Sequence, residues 1–386
     1  MSAGQVPPAP STPDVVVAPN CLRGYATAAE VAEALAAGVH RAGRGADVAL
    51  RPLADGGDGT LDALYAACGG SRHPVEAVDV LGRTRKAQWL ALDGRTAAVE
   101  TAGLCGLGAL RPHELRPLEA ASTGAGQALA AAVAAGATTV LLGLGGTAVV
   151  DGGAGALAAL GARFLDRDGR DVPPGPAGIA EAVRVDLAPA RRLLSGVTLR
   201  LLADVRTPLS GNLDSFGAQK GITEHNRPAA VRALRHLAAL LADAGDQGAG
   251  QRFRAPWYGA GGGIGFGLAA VADTTAGSGA EALLEITDPH DTVRTAPLAL
   301  TAEGAVDAAT WHGKLPGTVA RLRRERGLPT ALVAVRATGS AGTGPLVTTH
   351  LIADPPPTAP VTGDALREGL ARAAEAACRT WAARPT

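Results

Sequence analysis

The sequence predicts an α/β protein built on parallel sheet. Short apolar stretches of strand length alternate with helical ones along most of the chain, the pattern of βαβ units. Glycine-rich loops stand where strand gives way to helix, and polar residues recur where strands are expected to end. At 386 residues the chain is long for a single small core, so one large or two medium domains are expected.

Taken in order, Asp14 to Ala18 (DVVVA) reads as a buried strand, and Ala28 to Val39 as a helix capped by Thr27. A second strand, Val48 to Leu53, runs into the loop ADGGDGT, and Leu61 to Ala67 continues as helix. Val75 to Leu92 has the look of a β-hairpin turning at Gly82. Ser122 to Ala135 is an Ala-rich helix, followed by the strand Thr138 to Leu142, the loop GLGGTAVVDGG and a helical stretch over Ala156 to Phe164. Val197 to Ala203 is a strand closed by Asp204, and Pro228 to Ala242 a helix. The loop GAGGGIGFG begins at Gly259 and leads to an apolar helix over Leu268 to Val271. Pro297 to Leu300 runs into TAEG, Thr330 to Val335 is a further strand, and His350 to Ala353 ends at Asp354. A Pro-rich connector precedes the last helix, Gly363 to Ala382.

The strand ends therefore carry Asn20, Asp55, Asp204, Glu303 and Asp354. In open α/β sheets ligands bind outside the carboxyl ends of strands. Asp and Asn also favour turns and caps for purely local reasons, but five together, two of them beside a glycine, point to a site.

Composition narrows the function. Hydrophobic residues make up 47% and charged residues 19%, as in ordinary globular proteins, while 52 glycines and 3% aromatics depart from the norm. A formal net charge of zero leaves no electrostatic footprint for nucleic acid or an anionic membrane surface. No run of about 18 apolar residues offers a membrane span. Cys21, Cys68, Cys105 and Cys378 are scattered and form no CxxC pair, which argues against a disulfide framework or a structural zinc. The opening MSAGQVPPAPSTPD has no basic start before an apolar stretch, so a reduced, cytoplasmic protein with a short disordered lead-in over residues 1–13 is expected.

Three glycine-rich segments have the composition of anion cradles: Asp55 to Thr60, Leu142 to Gly155 and Gly259 to Gly267. Glycine lets backbone N–H groups converge on phosphate, and a following helix adds its positive end. None is closed by Gly-Lys-Ser/Thr as a Walker A loop is, and none is a dinucleotide fingerprint. The acids among them, Asp55, Asp58, Asp151, Asp204, Glu303 and Asp307, suit magnesium, which takes a few carboxylates alongside water and phosphate oxygens. Lys220 and Lys314 are the cations placed to meet phosphate or a substrate carboxylate. The eight histidines show no ligand spacing; His312, beside Gly313 and Lys314, is the one adjacent to a candidate residue.

In order along the chain, VVVAPN, ADGGDGT, LGLGGTAVVDGGAGALAALGARFLD, ADVRTPLSG, FGAQKG, GAGGGIGFG and LTAEGAVDAATWHGK follow motifs of one family. The sequence resembles the bacterial glycerate kinases, which phosphorylate D-glycerate with ATP. The resemblance implies their two-domain fold: a flavodoxin-like parallel-sheet domain drawn from both ends of the chain, and a second, mixed α/β domain, with the site in the cleft. On that basis residues 14–72 with 295–386 are assigned to the first domain and 73–294 to the second.

The chain also departs from the family's pattern. APDSFKGS becomes Ala-Pro-Asn20-Cys21-Leu22-Arg23-Gly24-Tyr25, which removes a carboxylate and replaces a lysine by Arg23. A polar Thr-Asn pair becomes Val149-Val150, Asp-Asn becomes Arg206-Thr207, and TGEG becomes TAEG. If that glycine had positive φ, Ala302 would cost on the order of 1 kcal/mol.

The expected chemistry is phosphoryl transfer from Mg²⁺-ATP to a hydroxyl of a small hydroxy acid, with positioning and charge neutralisation as the main means. Asp204, Lys220, Glu303 and Lys314 are the catalytic candidates. Gly145, Gly146, Thr147, Gly152, Gly153, Gly261, Gly262 and Gly263 are assigned to the nucleotide. Asn20, Arg23, Asp55, Asp58 and Arg206 are assigned to the substrate, and Asp151, Glu303 and Asp307 to the metal. A homodimer is the expected assembly, with no nucleic-acid or membrane partner. Two other readings stand beside this one: a related kinase with a different hydroxy-acid acceptor, motivated by Arg206, Val149 and Val150, and a non-catalytic nucleotide-binding relative, motivated by Asn20 and Ala302.

Overall fold

The structure is a computed structural model that describes residues 12–43, 45–311, 313–338, 346–353 and 361–383. His312 and Asp354 lie outside the described residues. In chain order the strands are β1 (Val15–Val17), β2 (Val48–Leu50), β3 (Ser71–Val78), β4 (Thr84–Ala91), β5 (Thr96–Glu100), β6 (Thr139–Gly143) and β7 (Arg163–Leu165). There follow β8 (Arg184–Asp186), β9 (Thr198–Ala203), β10 (Asp273–Ser278), β11 (Leu298–Val306), β12 (Thr330–Ala337) and β13 (Val347–Leu351).

The chain forms two compact units, one from Met1–Pro52, Asp288–Trp311 and Pro316–Thr386, the other from Leu53–Thr287 and His312–Leu315. The first crossing thus falls at 52/53, ahead of the 72/73 expected from sequence. The helix Thr60–Cys68 belongs with the second unit because Leu61, Ala63 and Leu64 are buried against Leu90, Ala98, Leu141 and Leu202 there.

The first unit is a five-stranded, all-parallel sheet in the order β13-β12-β11-β1-β2. Renumbered within the sheet this is 2-1-3-4-5, the flavodoxin-like order, whose switch point lies between β1 and β11. Val15, Val16 and Val17 are at most 7% exposed, as expected of a strand covered on both faces. The helices Ala28–Ala42 and Gly363–Ala382 cover one face, with Val31, Leu35, Val39, Leu366 and Leu370 in a shared core. The first of them starts on a capping box: Thr27 Oγ1 accepts from Glu30 N, and Glu30 Oε2 accepts from Thr27 N. Arg323 is wholly buried and donates to Val293 O at 2.7 Å, Ala296 O at 2.8 Å and Pro329 O at 2.8 Å, which fixes the approaches to β11 and β12.

The second unit is a six-stranded mixed sheet, β10-β9-β6-β5-β4-β3, parallel from β10 to β5 and antiparallel through the hairpin β3–β4. The hairpin turns at Gly82, whose N donates to Asp79 O. The helices Thr123–Ala134, Ala154–Ala159 and Arg227–Asp243 bury one face in the larger core. Thr60–Cys68 and Gly279–Thr287 cover part of the other.

Three local expectations are corrected. The helix expected over Ala156 to Phe164 spans Ala154–Ala159, and Phe164 lies in β7, paired antiparallel with β8. The helix expected at Leu268 starts earlier, at Ile264, directly on the third of three glycines. The strand expected at Pro297 to Leu300 runs on through TAEG: Thr301 to Gly304 lie within β11, where Ala302 is wholly buried and free of positive φ, so the backbone cost considered for a positive φ there does not arise.

Candidate active site

The carboxyl ends of β5, β6, β9 and β10 lie side by side, with Glu100 registered to Gly143, Gly143 to Leu202, and Ser278 to Ala203. Onto this row fold the loop Asp55–Gly59, the loop after β6 and the turn after β9. Gly145 N donates to Gly56 O at 2.9 Å. A Cβ on Gly145 would stand 2.6 Å from Gly57 Cα and 3.1 Å from Asp204 Cγ, so only glycine lets these three segments close up. A Cβ on Gly313 would lie 3.4 Å from Asp204 O, which brings the Gly313–Lys314 segment to the same strand end. The second unit therefore gathers Asp55, Asp58, Gly145, Gly146, Asp204, Arg206 and Lys314 around the end of β9, and Arg206 is exposed there.

Lys220 sits under this row rather than in the open. It is 4% exposed, and Nζ donates to Val149 O at 2.9 Å and to Thr147 Oγ1 at 3.4 Å. Burial pulls its ammonium down to about 8, against the opposing pull of the Asp204 and Asp151 carboxylates. The side chain thereby holds the loop after β6 from beneath. Val149 and Val150 are wholly buried in the large core. Their side chains face the core, so the expectation that they shape the acceptor side of a site is withdrawn.

Asp151 is likewise internal, at 1% exposure. Its Oδ2 accepts from Ser122 N at 2.8 Å, Ser122 Oγ at 2.8 Å and Gly155 N at 3.0 Å, and Oδ1 accepts from Gly153 N at 3.1 Å. Four donors around one carboxylate leave it a poor match to the metal role expected for it. The glycines nearby interlock instead of forming an open cradle. Gly152 N donates to Gly262 O, and a Cβ on Gly262 would meet Val149 O at 1.9 Å. Gly261, Gly262 and Gly263 all take left-handed backbone, a run that L side chains disfavour and that lets the two loops mesh.

In the first unit, Asn20 lies just past the end of β1, and Glu303 lies on the neighbouring β11, at the switch point of the sheet. Asn20 Oδ1 accepts from Cys21 N at 2.8 Å, and Arg23 is exposed nearby in sequence. Glu303 Oε2 accepts from Thr310 Oγ1 at 2.7 Å, while Thr310 N donates to Asp307 Oδ1 at 3.2 Å. Glu303 and Asp307 are thus tied together through Thr310. Among the described residues no three His, Cys, Asp or Glu side chains gather as a metal cage. The Glu303–Asp307 pair remains compatible with magnesium, which keeps waters and phosphate oxygens in most of its positions.

Sequence reasoning missed Glu100, Ser122 and Thr310. Glu100 ends β5, and its Oε2 accepts from Leu61 N at 3.1 Å. Burial, with the Asp58 and Asp62 charges adding to it, pushes its carboxyl up to about 7. The rule that polar residues at strand ends mark a site would have found it, had Thr96–Glu100 been read as a strand.

Comparison with known proteins places the chain in a family. The model of the glycerate kinase family matches residues 15–382. The chain is 33% identical over 335 residues to the glycerate kinase of Halalkalibacterium halodurans, covering 86% of each. It is 31% identical over 337 residues to the glycerate 2-kinase of Escherichia coli, covering 85% of this chain and 86% of that one. A crystal structure from Salmonella typhimurium LT2, of a protein assigned as glycerate kinase 2, superposes with a TM-score of 0.77 at 31% identity, covering 97% of this chain and 99% of the other. The chain belongs to the glycerate kinase family, and so to the kinases that pass a phosphoryl group to an alcohol.

Proposed function

We propose that the protein transfers the γ-phosphoryl group of ATP to a hydroxyl of D-glycerate, giving phosphoglycerate. The observation that carries this reading is Asp204 at the end of β9, closed in by Gly145 and with the Gly313–Lys314 segment beside it. An oxygen–phosphorus bond forms to the acceptor hydroxyl as the bond to the leaving ADP breaks, so the site's work is alignment and control of charge. Asp204 orients the acceptor hydroxyl and takes its proton. Gly146 and Thr147 offer main-chain donors to the phosphates, Gly145 N being spent on Gly56 O, while the glycines at 152–153 and 261–263 keep that loop in shape. Lys314, Arg23 and Arg206 meet anionic groups, and Asn20, Asp55 and Asp58 give polar contacts to the substrate.

Magnesium, arriving with ATP, would supply neutralisation of phosphate charge, and Glu303 with Asp307 would hold it. A reducing cytoplasm suits the free thiols at Cys21, Cys68, Cys105 and Cys378, and among the described residues no helix is long and apolar enough to cross a membrane.

The test is turnover of the purified chain with ATP and a panel of small hydroxy acids, with products identified by ³¹P NMR. D-glycerate is expected to be the best acceptor. Asp204→Asn is expected to lower kcat at least about 100-fold with the fold intact, in the range of general-base removal; full turnover in that variant would sink the assignment of the base. Asn20 in place of a carboxylate and the exposed Arg206 favour one second reading, a kinase for a more anionic hydroxy acid. A different acceptor winning the panel would select it, and ATP binding without turnover on any acceptor would leave only a nucleotide-binding relative.

A further inference from the structure

The hairpin joins the rest of its sheet by two residue pairs only, Leu90–Ala98 and Ala91–Ala97. Both strands continue past them, β4 back to Thr84 and β5 on to Glu100, so the strands splay apart. In an antiparallel ladder the main-chain groups of successive residues point to opposite neighbours. Arg83 O accepts from Asp79 N on the β3 side, and Leu92 N donates to Thr96 O on the β5 side. By that alternation the N–H and C=O groups of Lys86 and Gln88 face the split.

A cavity of about 460 Å³ opens there, walled by Lys86 and Gln88 on one side, Glu100 and Gly103 on the other, and Leu61 at the end. That volume suits a small organic molecule. Of the cations on its rim, Arg72 is engaged by Asp62 at 2.7 Å and lies 4.7 Å over the Tyr65 ring. Arg85 and Lys86 make no ion pair among the described residues, which leaves two positive charges beside outward-facing main-chain groups.

We propose that the split between β4 and β5 is a second small-molecule site, for an organic acid presenting a carboxylate or a phosphate monoester to Lys86, Arg85 and the edge of β4. The site stands apart from the glycine loops but touches them mechanically. Leu61 forms part of its wall, donates its N–H to Glu100 and directly follows the Asp55–Thr60 loop. An occupant therefore bears on the loop that closes against Gly145, and this effector role rests on the kinase reading; binding itself does not.

Glu100 adds a pH dependence. The charged groups around it are Asp58 and Asp62 from the loop and helix, with Arg72 from β3 and Arg85 and Lys86 from β4 lining the same cavity. Protonation of Glu100 below about pH 7 removes a negative charge from the wall and turns the carboxyl into a donor, so anions are held more tightly in mild acid.

Calorimetry of the full chain at pH 6 and pH 8 tests this with two probes whose own charge is the same at both values, tartrate for carboxylates and sulfate as the stand-in for phosphate groups. At least one probe is expected to bind saturably and more tightly at pH 6, and which one binds identifies the ligand's class. Lys86→Glu, at an exposed position outside the catalytic machinery, is expected to weaken that binding at least tenfold while turnover without probe stays within twofold. Glu100→Gln keeps an acceptor for Leu61 N and is expected to bind equally at both pH values. Absence of saturable binding by either probe overturns the site, as does an affinity unchanged by Lys86→Glu, which would place the anion at the glycine loops. A pH dependence that survives Glu100→Gln overturns the part given to that residue.

Discussion

Thr310 donates its hydroxyl hydrogen to Glu303 Oε2 at 2.7 Å and, through the same oxygen, accepts from Asp307 N at 3.1 Å. The residue is wholly buried, so the hydroxyl has no solvent to fall back on. It sets the direction of the Glu303 carboxylate on β11 and the shape of the turn that carries Asp307. Thr310→Val keeps the volume and removes both bonds, leaving Asp307 N without its acceptor. The expected loss of stability in urea is about 1–3 kcal/mol. In kinetics, kcat is expected to fall by more than tenfold with a smaller change in KM for the acceptor, and Thr310→Ser is expected to restore most of it. Equal behaviour of the Val and Ser variants would show that the hydroxyl positions nothing.

Gly145 is held to glycine by space rather than by backbone conformation, since its φ is not positive. A Cβ there would stand 2.6 Å from Gly57 Cα and 2.9 Å from Gly57 N, main-chain atoms that cannot swing aside. Gly145→Ala must therefore pry the Asp55–Gly59 loop away from the end of β9. Overpacking of this kind costs typically about 1–3 kcal/mol, readable as a lowered midpoint in urea. A larger loss in kcat than in stability is expected, because the displaced atoms lie beside Asp204. Unchanged turnover would mean that the contact between these loops is dispensable for catalysis.

How far the sequence carries depends on what holds each element. β1, β6, β9 and β12 are apolar runs closed by turn residues, and each is legible to within a residue or two because local composition decides it. β10 is different. Asp273–Ser278 (DTTAGS) has no apolar periodicity, and its strand geometry comes from pairing along the whole of β9. Phe164 was drawn into a helix by the Ala- and Leu-rich stretch before it, whereas tertiary pairing with Val185 makes it strand. At the site, Asp204 and the glycine loops were legible as types and spacings. Which of them face each other was not. Asp151 and Lys220 carry the right chemistry for phosphate or metal, yet their partners Ser122, Gly155, Thr147 and Val149 use it inside the fold.

Lys220 gives that distinction a pH signature. Its ammonium is pulled from 10.5 to about 8 in the fold, so between those values the unfolded chain holds a proton that the folded chain has released. Stability then rises with pH across that window and is lowest, on this account, below about pH 8. Lys220→Met removes the titrating group while keeping much of the buried stem. Urea unfolding at pH 7.5, 9 and 10 is expected to show a rise in wild type that the Met variant lacks. A rise of the same size in both would assign it to another group.

Asp151 offers the clearest contrast between an anchor and a metal ligand. Its carboxylate satisfies Ser122 N, Ser122 Oγ, Gly153 N and Gly155 N, which ties the start of one helix to the loop before another. Asp151→Asn replaces one accepting oxygen by an amide that donates, so at least one of these N–H groups faces another donor. Hydrogen bonds to a charged group contribute about 1.5–3 kcal/mol each, and a buried donor left unmet adds its own desolvation cost. The variant is therefore expected to lose several kcal/mol in urea whether or not magnesium is present. A metal ligand behaves otherwise: magnesium stabilises only the native state that binds it, so the wild-type advantage over Asp151→Asn would grow as magnesium is raised. Equal denaturation differences from zero to millimolar magnesium are the expected result, and a difference that widens with the ion would return Asp151 to the metal.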